Sequence, residues 1–233
     1  ENIPEILLAS LVAGQKLTTT KNPKSLIPIF SECEFCITGL VIANWRRPEG
    51  PFGDHYGYYS LIHDYPVFQA QAVYHRKNAI YPATIVGKPR QEDYYIGEYL
   101  QDLLKPLISL AMPGVKDLHS YGETGFHALA GAVLKERYTK ESLSTVFRIL
   151  GEGQLSLTKF LIGIHEDHDL KDFTELLTYI LKRVQWENDL SIFADTSMDS
   201  LDYTGHKINH GSKGALLVGK EIRRKLPHKL PNS

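Results

Sequence analysis

From residue 92 onward the apolar residues switch back and forth between two spacings, and this limits the fold more than any other feature of the chain. Residues 92–111 carry Ile96, Leu100, Leu103, Leu104, Leu107, Ile108 and Ala111 at helical spacing, and Pro113-Gly114 stops the run. Residues 127–134 form a continuous apolar block of strand length, and 140–150 return to helical spacing with Thr139 as the expected N-cap. Phe160-Leu161-Ile162-Gly163-Ile164 reads as a second buried strand, 169–183 as a helix, and Leu190-Ser191-Ile192-Phe193-Ala194 as a third strand. The tail from Tyr203 reads as polar and irregular up to the block Ala215-Leu216-Leu217-Val218, and a basic segment follows. Strand, helix, strand, helix, strand predicts an α/β sandwich.

The first 90 residues have a different texture. Pro4 with Ile6, Leu7, Ser10 and Leu11 predicts a short opening helix. After it come blocks of β-branched and aromatic residues: 35–43, 67–74 and 83–86. Gly and Pro punctuate between them, which predicts antiparallel β-structure, a barrel or a piece of one. The expected organisation is therefore α+β or α/β, with a β-rich region over 1–90 and an α/β region over 91–233. A chain of 233 residues that is 42% hydrophobic has enough apolar side chain for a core. A net charge of −1 gives no field to hold a polyanion, so a nucleic-acid partner is not expected. No run approaches the about 18 apolar residues of a membrane helix. The opening ENIPEILLASLVAG lacks the basic n-region of a signal peptide, and two cysteines build no disulfide framework, so a reducing, cytoplasmic setting is expected. The absence of an initiator Met points to a longer parent chain.

Several groupings invite a chemical reading. Cys33-Glu34-Phe35-Cys36 is a CxxC, but it opens a strand rather than a helix, and no second CxxC completes a zinc site. His165-Glu166-Asp167-His168-Asp169 has an HxxH spacing between a strand and a helix, where acidic residues cap the helix and complement its dipole. His206, His210 and Lys213 read as a polar loop or as a phosphate contact. No G-x-S-x-G, P-loop or G-x-G-x-x-G occurs. The most informative stretch is Pro48-Glu49-Gly50-Pro51-Phe52-Gly53-Asp54-His55-Tyr56-Gly57-Tyr58-Tyr59. Two carboxylates five positions apart sit on a loop stiffened by prolines, among aromatic side chains. Such a loop serves either as a structural turn or as a device that makes one carboxyl group a proton donor while the other stays ionised.

That dodecapeptide resembles the signature of the UbiD-family decarboxylases, P-E-G-P-[YF]-G-[DE]-x-x-G-Y. Asn78-Ala79-Ile80-Tyr81-Pro82-Ala83-Thr84, Val86-Gly87-Lys88-Pro89, Glu92-Asp93-Tyr94-Tyr95-Ile96-Gly97, Thr158-Lys159-Phe160 and Ser212-Lys213-Gly214 are similar to later segments of the family. The resemblance implies a split β-barrel of the flavin-reductase type followed by a C-terminal α/β domain. It implies non-oxidative, reversible decarboxylation of an aromatic or unsaturated acid with prenylated FMN, held by a divalent metal (manganese or magnesium) and a monovalent cation (potassium), in a role such as quinone synthesis. Glu49 matches the glutamate that pairs with the catalytic arginine, and Asp54 the acid that protonates the substrate carbon. Glu5 matches a metal-ligating glutamate that helps hold the cofactor. Ile96 and Leu201 match positions lining the substrate pocket. The implied partners are a flavin prenyltransferase that supplies the cofactor and further copies of the chain as a homo-oligomer.

The family's arginine and its asparagine and histidine metal ligands match positions upstream of Glu1, so the chain reads as the C-terminal two-thirds of such an enzyme. The expected alternative is a non-catalytic or split-enzyme subunit that needs a separate N-terminal companion.

Overall fold

Long blocks of β-branched and aromatic residues need a partner strand for their backbone groups, and the first of them finds it in the second. The computed structural model describes residues 4–227. The chain forms two compact units, one made of the chain up to Phe52 plus Ser60–Ile85, the other of Gly53–Tyr59 plus the chain from Val86 onward.

In the first unit, α1 (Glu5–Val12) precedes a short antiparallel pair, β1 (Thr19–Thr20) with β2 (Ile29–Phe30). A long hairpin follows, β3 (Phe35–Glu49) with β4 (His63–His75), registered from Phe35 opposite His75 to Glu49 opposite His63. The ladder is interrupted between Val41 and Arg46, where Asn44 adopts a left-handed φ of 62°, a conformation asparagine tolerates better than most residues. The expected strand over 83–86 does not form. Pro82 offers no N–H, no neighbouring strand among the described residues pairs with the segment, and Ile85 is exposed. Among the described residues this unit buries no hydrophobic side chain fully: Ile37, Leu40, Val41, Phe68 and Val73 are all exposed along the hairpin.

The core lies in the second unit. It contains α2 (Glu92–Ala111), β5 (Val115–Ser120), β6 (Leu129–Leu134), α3 (Glu141–Gly151), β7 (Phe160–Ile164), α4 (Phe173–Arg183), α5 (Trp186–Asp189), β8 (Leu190–Ser197) and β9 (His210–Val218). The strands form one mixed sheet in the order β5-β6-β7-β9-β8, with β6, β7 and β9 parallel and both edge strands antiparallel. Period-2 alternation sorts the side chains between two faces. Ala130, Ala132, Leu134, Leu161 and Ala215 pack with Val146 and Ile149 of α3. Val133, Ile162, Ile164, Leu216 and Val218 pack with Leu176, Tyr179 and Ile180 of α4. Each fully buried aliphatic side chain contributes about 1.5–3 kcal/mol, so this sheet holds the unit together.

Three local expectations need correction. Thr139 does not cap α3: Lys140 precedes the helix in a left-handed conformation, and the Glu136 carboxylate accepts from the Lys140 and Ser142 amides at 2.7 and 2.9 Å instead. Helix α4 starts at Phe173 rather than 169, because the Asp172 side chain accepts from the Glu175 amide at 2.9 Å and ends the turn before it. The tail is not irregular up to Ala215: β9 begins at His210, and Lys213 is buried within it with its ammonium on the Ser156 carbonyl.

Candidate active site

The glycine-rich half of the dodecapeptide folds as a tight loop of the second unit. Gly53 bridges Tyr59, the Asp54 amide donates to the Tyr58 carbonyl at 3.1 Å, and the Gly57 amide donates back to the Asp54 carbonyl at 2.9 Å. Gly57 sits at φ 91°, which a Cβ would disfavour, so the turn requires glycine there. The loop buries a carboxylate: Asp54 is 3% exposed. Its Oδ1 accepts from the Tyr56 amide at 3.1 Å and lies 3.0 Å from His55 Nδ1. No hydrogen bond to Oδ2 forms among the described residues.

The neighbouring side chains of the loop are tied to the segments that follow β5 and β8. His55 Nε2 lies 3.2 Å from the Gly125 carbonyl. Gly125 itself has φ 73°, and a Cβ there would meet the Tyr56 ring at 2.9 Å. The Tyr56 hydroxyl donates to Asp199 Oδ2 at 3.2 Å, and the same oxygen lies 2.5 Å from His127 Nδ1. Asp199 Oδ1 accepts from the Leu201 amide at 3.0 Å. Burial, reinforced by the Asp199 charge, pushes the Tyr56 hydroxyl far above the ordinary phenol range, so it stays a donor. Burial also works against the Asp199 carboxylate, but His127, the Leu201 amide and the Tyr56 hydroxyl outweigh it and hold Asp199 below the usual carboxylate value. A second pair stands beside this one: Lys159 Nζ reaches Asp202 Oδ2 at 2.7 Å and the Thr204 hydroxyl at 2.6 Å. Burial opposes the Asp202 charge too, yet Lys159 and Thr204 keep it lowered. The chain thus places two carboxylates held in the charged form, Asp199 and Asp202, next to the loop that carries Asp54, and ties the first to it through Tyr56.

A cavity of about 530 Å³ opens on the exposed edge of His55 and is lined further by Lys88, Arg90, Asp93, Tyr94 and Glu123. Arg90 pairs with Glu123 at 2.6 Å and lies over the Tyr94 ring at 4.1 Å, which stiffens that wall.

The other residues singled out in the sequence lie as follows. Glu49 ends β3 opposite His63 and is exposed, and its carboxylate forms no ion pair or hydrogen bond among the described residues. Glu5 opens α1 and is exposed. No three His, Cys, Asp or Glu side chains among the described residues are grouped so as to hold a metal ion, so Glu5 does not complete a divalent site there. Ile96 stands exposed on α2, one residue past Tyr95 of the cavity wall. Leu201 is half-buried and takes part through its backbone: its carbonyl accepts from the Tyr58 hydroxyl at 3.3 Å. Cys33 and Cys36 are free thiols. His165 and His168 are part-buried, and His210 pairs with Asp195 at 2.9 Å. The contacts of His55, Tyr56, His127 and Asp199 escaped the sequence reading. His55 and Tyr56 stood inside the motif, but nothing in a single sequence links them to residues 127 and 199.

A family model described as the 3-octaprenyl-4-hydroxybenzoate carboxy-lyase Rift-related domain matches residues 1–89, and the C-terminal domain of the same family matches residues 94–217. The chain belongs to the UbiD carboxy-lyase family. A Chlamydia pneumoniae protein described as a subunit of 4-hydroxybenzoate decarboxylase is 56% identical over 229 residues, covering 98% of this chain and 39% of that protein. An uncharacterized protein of Chlamydia caviae is 57% identical over 238 residues, covering 100% of this chain and 41% of that one. The chain therefore spans about two fifths of the length of these relatives. Among solved structures, the UbiD-class enzyme HmfF of Pelotomaculum thermopropionicum in complex with FMN aligns with a TM-score of 0.73 at 23% identity, over 97% of this chain and 49% of that chain. The closed form of Sedimentibacter hydroxybenzoicus vanillic acid decarboxylase aligns with a TM-score of 0.77 at 20% identity, over 91% of this chain and 46% of that chain. At these identities the structural likeness speaks for the fold. No helix among the described residues is long and apolar enough to cross a membrane.

Proposed function

We propose that the chain forms part of a non-oxidative decarboxylase that removes carbon dioxide from an aromatic or unsaturated carboxylic acid, with prenylated FMN as cofactor. The observation that carries this reading is Asp54: a carboxyl group almost out of contact with solvent, anchored through Oδ1 and with no hydrogen bond to Oδ2 among the described residues, on the family's signature loop. A group so held suits a proton donor, because its geometry is fixed before substrate arrives. When bound, prenylated FMN supplies an electron sink for the charge left by departing carbon dioxide. In this reading Asp54 protonates the substrate carbon. Glu49, an exposed carboxylate with no partner among the described residues, orients an arginine supplied from outside them. Ile96 and Leu201 contribute apolar walls to the substrate pocket. Glu5 contributes one ligand to the metal that holds the cofactor phosphate. The described residues offer no complete metal site, so no step is assigned to that ion.

The uncovered hairpin supports a second element of the proposal. A two-stranded ribbon with apolar side chains exposed along it is marginal alone. We read β3 and β4 as part of a split, flavin-reductase-like barrel, completed by further strands from a longer parent chain or from a companion chain. The boundary near residue 90 would then separate the barrel from the C-terminal α/β domain. A role in quinone synthesis, cofactor supply by a flavin prenyltransferase, a cytoplasmic setting and homo-oligomerisation remain parts of the same proposal.

The test is decarboxylation of hydroxybenzoates by the chain co-expressed with its genomic neighbours and a flavin prenyltransferase. Asp54→Asn should keep the far-UV circular dichroism spectrum and lose about 10²–10⁴-fold in turnover. Turnover that survives the substitution unchanged would refute the role given to Asp54. Native mass spectrometry of the same preparation shows whether a companion chain co-purifies.

A further inference from the structure

A general acid works only while its carboxyl group stays in place for the substrate carbon. Asp54 lies in neither a helix nor a strand, and the backbone bonds within its loop do not fasten that loop to the rest of the unit. We propose that Asp199 is the positioning residue for Asp54 and acts through Tyr56. The catalytic consequence rests on the reading of Asp54 as the proton donor; the physical link does not.

Tyr56 has one end on each acid. Its amide donates to Asp54 Oδ1 at 3.1 Å, and its hydroxyl donates to Asp199 Oδ2 at 3.2 Å. A tyrosine side chain turns about only two bonds between those ends. The ring is packed against Gly125, where a Cβ would come within 2.9 Å of it. Fixing the hydroxyl therefore fixes the amide, and the amide holds the carboxylate.

Asp199 is a firm anchor for that hydroxyl. It is 5% exposed, its Oδ1 accepts from the Leu201 amide at 3.0 Å, and its Oδ2 also takes His127 Nδ1 at 2.5 Å. His127 is fixed in turn: its carbonyl accepts at 3.0 Å from the amide of Lys159, the residue before β7. The same segment takes a second hold on the loop, because the Leu201 carbonyl accepts from the Tyr58 hydroxyl at 3.3 Å.

The residue type fits the task. Donors converge on both oxygens of Asp199, and only a carboxylate accepts at both; asparagine would turn an NH₂ group toward one set of donors. Asp199 takes no part in the proton transfer itself. It narrows the positions open to the Asp54 carboxyl group, so its loss should fall on the rate of the bound complex and leave substrate binding alone.

Tyr56→Phe carries the test, because it removes the hydroxyl and leaves the ring, the Tyr56 amide and the other two bonds of Asp199 in place. Hydrogen exchange of the full chain, read by mass spectrometry, probes the link without cofactor. Amides of 53–59 should exchange about 10-fold faster relative to those of β7 in Tyr56→Phe, and likewise in Asp199→Asn. Tyr121→Phe is the control: it removes a buried tyrosine hydroxyl that donates to the Leu170 carbonyl at 2.8 Å, and it should keep the wild-type ratio. A ratio unchanged in Tyr56→Phe, or raised equally in Tyr121→Phe, overturns the link. In the cofactor-loaded enzyme, Tyr56→Phe should lower kcat about 10-fold with KM unchanged. Adding Asp199→Asn to Tyr56→Phe should lower kcat little further, since both act along one path. Wild-type kcat in Tyr56→Phe, or losses that multiply in the double variant, overturn the positioning role. If Asp54→Asn turns over normally, Asp54 is not the donor and the positioning role falls with it, while the exchange ratios still decide the link.

Discussion

Asp199→Ala removes one acceptor from three groups at once: the Tyr56 hydroxyl at 3.2 Å, His127 Nδ1 at 2.5 Å and the Leu201 amide at 3.0 Å. Stripping a buried donor costs about 1–3 kcal/mol, and contacts to a charged group lie in the upper part of that range. Asp199 is 5% exposed but its partners are only part-buried, so each of the three contacts is taken in the lower half, about 1–2 kcal/mol. The expected loss is about 3–6 kcal/mol, a large share of an ordinary domain's stability. Asp195→Ala is the control, because it breaks the same kind of pair, to His210 at 2.9 Å, where the aspartate side chain is 83% exposed. Losing that pair should itself be hardly measurable, and alanine at the left-handed φ of 60° that Asp195 adopts adds about 1 kcal/mol of strain. Urea unfolding at pH 7, followed by circular dichroism, reads both. The sign with pH follows from the direction of the Asp199 shift. Its folded value lies below the unfolded value of about 3.9, so its contribution is present above that pH and fades as pH falls through the folded value. The gap between wild type and Asp199→Asn should therefore close in acid. Equal losses for Asp199→Ala and Asp195→Ala, or a gap that widens in acid, would refute the reasoning.

Two further outcomes concern packing and buried charge. Gly97→Ala should lower the melting temperature, although helix propensity alone favours alanine by about 1 kcal/mol, because a Cβ at Gly97 would meet the Phe126 ring at 2.4 Å. Burial lowers the Lys213 ammonium, so on the approach to the ordinary lysine value of about 10.4 the unfolded chain binds more protons than the folded one and this group makes wild-type stability rise with pH. Lys213→Met should flatten that slope in denaturant titrations across the same range.

Where a stretch of chain had one strong period, its sequence sufficed. Helix α2 has the bounds expected from its apolar spacing, and β6, β7 and β8 coincide with apolar blocks. Strand β5 went unseen because its ladder is irregular between Val115 and Asp117, which breaks the alternation, and because Lys116, Asp117 and His119 dilute its apolar content. The start of β9 was hidden by Lys213, a lysine buried against local polarity. The motif marked the tight loop that carries Asp54, since a local turn chemistry leaves a local signature, whereas Glu49, expected on the same loop, ends β3 in the first unit. The Tyr56–Asp199–His127 contacts are long-range, and each partner taken alone looks like an ordinary polar residue.

The second unit is assembled from two separate pieces of chain, and this has a practical consequence for fragment design. A recombinant piece starting at Val86 would look natural on a linear map, yet it would arrive without Tyr56 and His55. Gly125 would face a gap, and Asp199 would lose one of its hydrogen-bond donors. Grafting Gly53–Tyr59 back through a designed linker, rather than trimming the boundary by trial, is the rational route to a well-behaved excised domain.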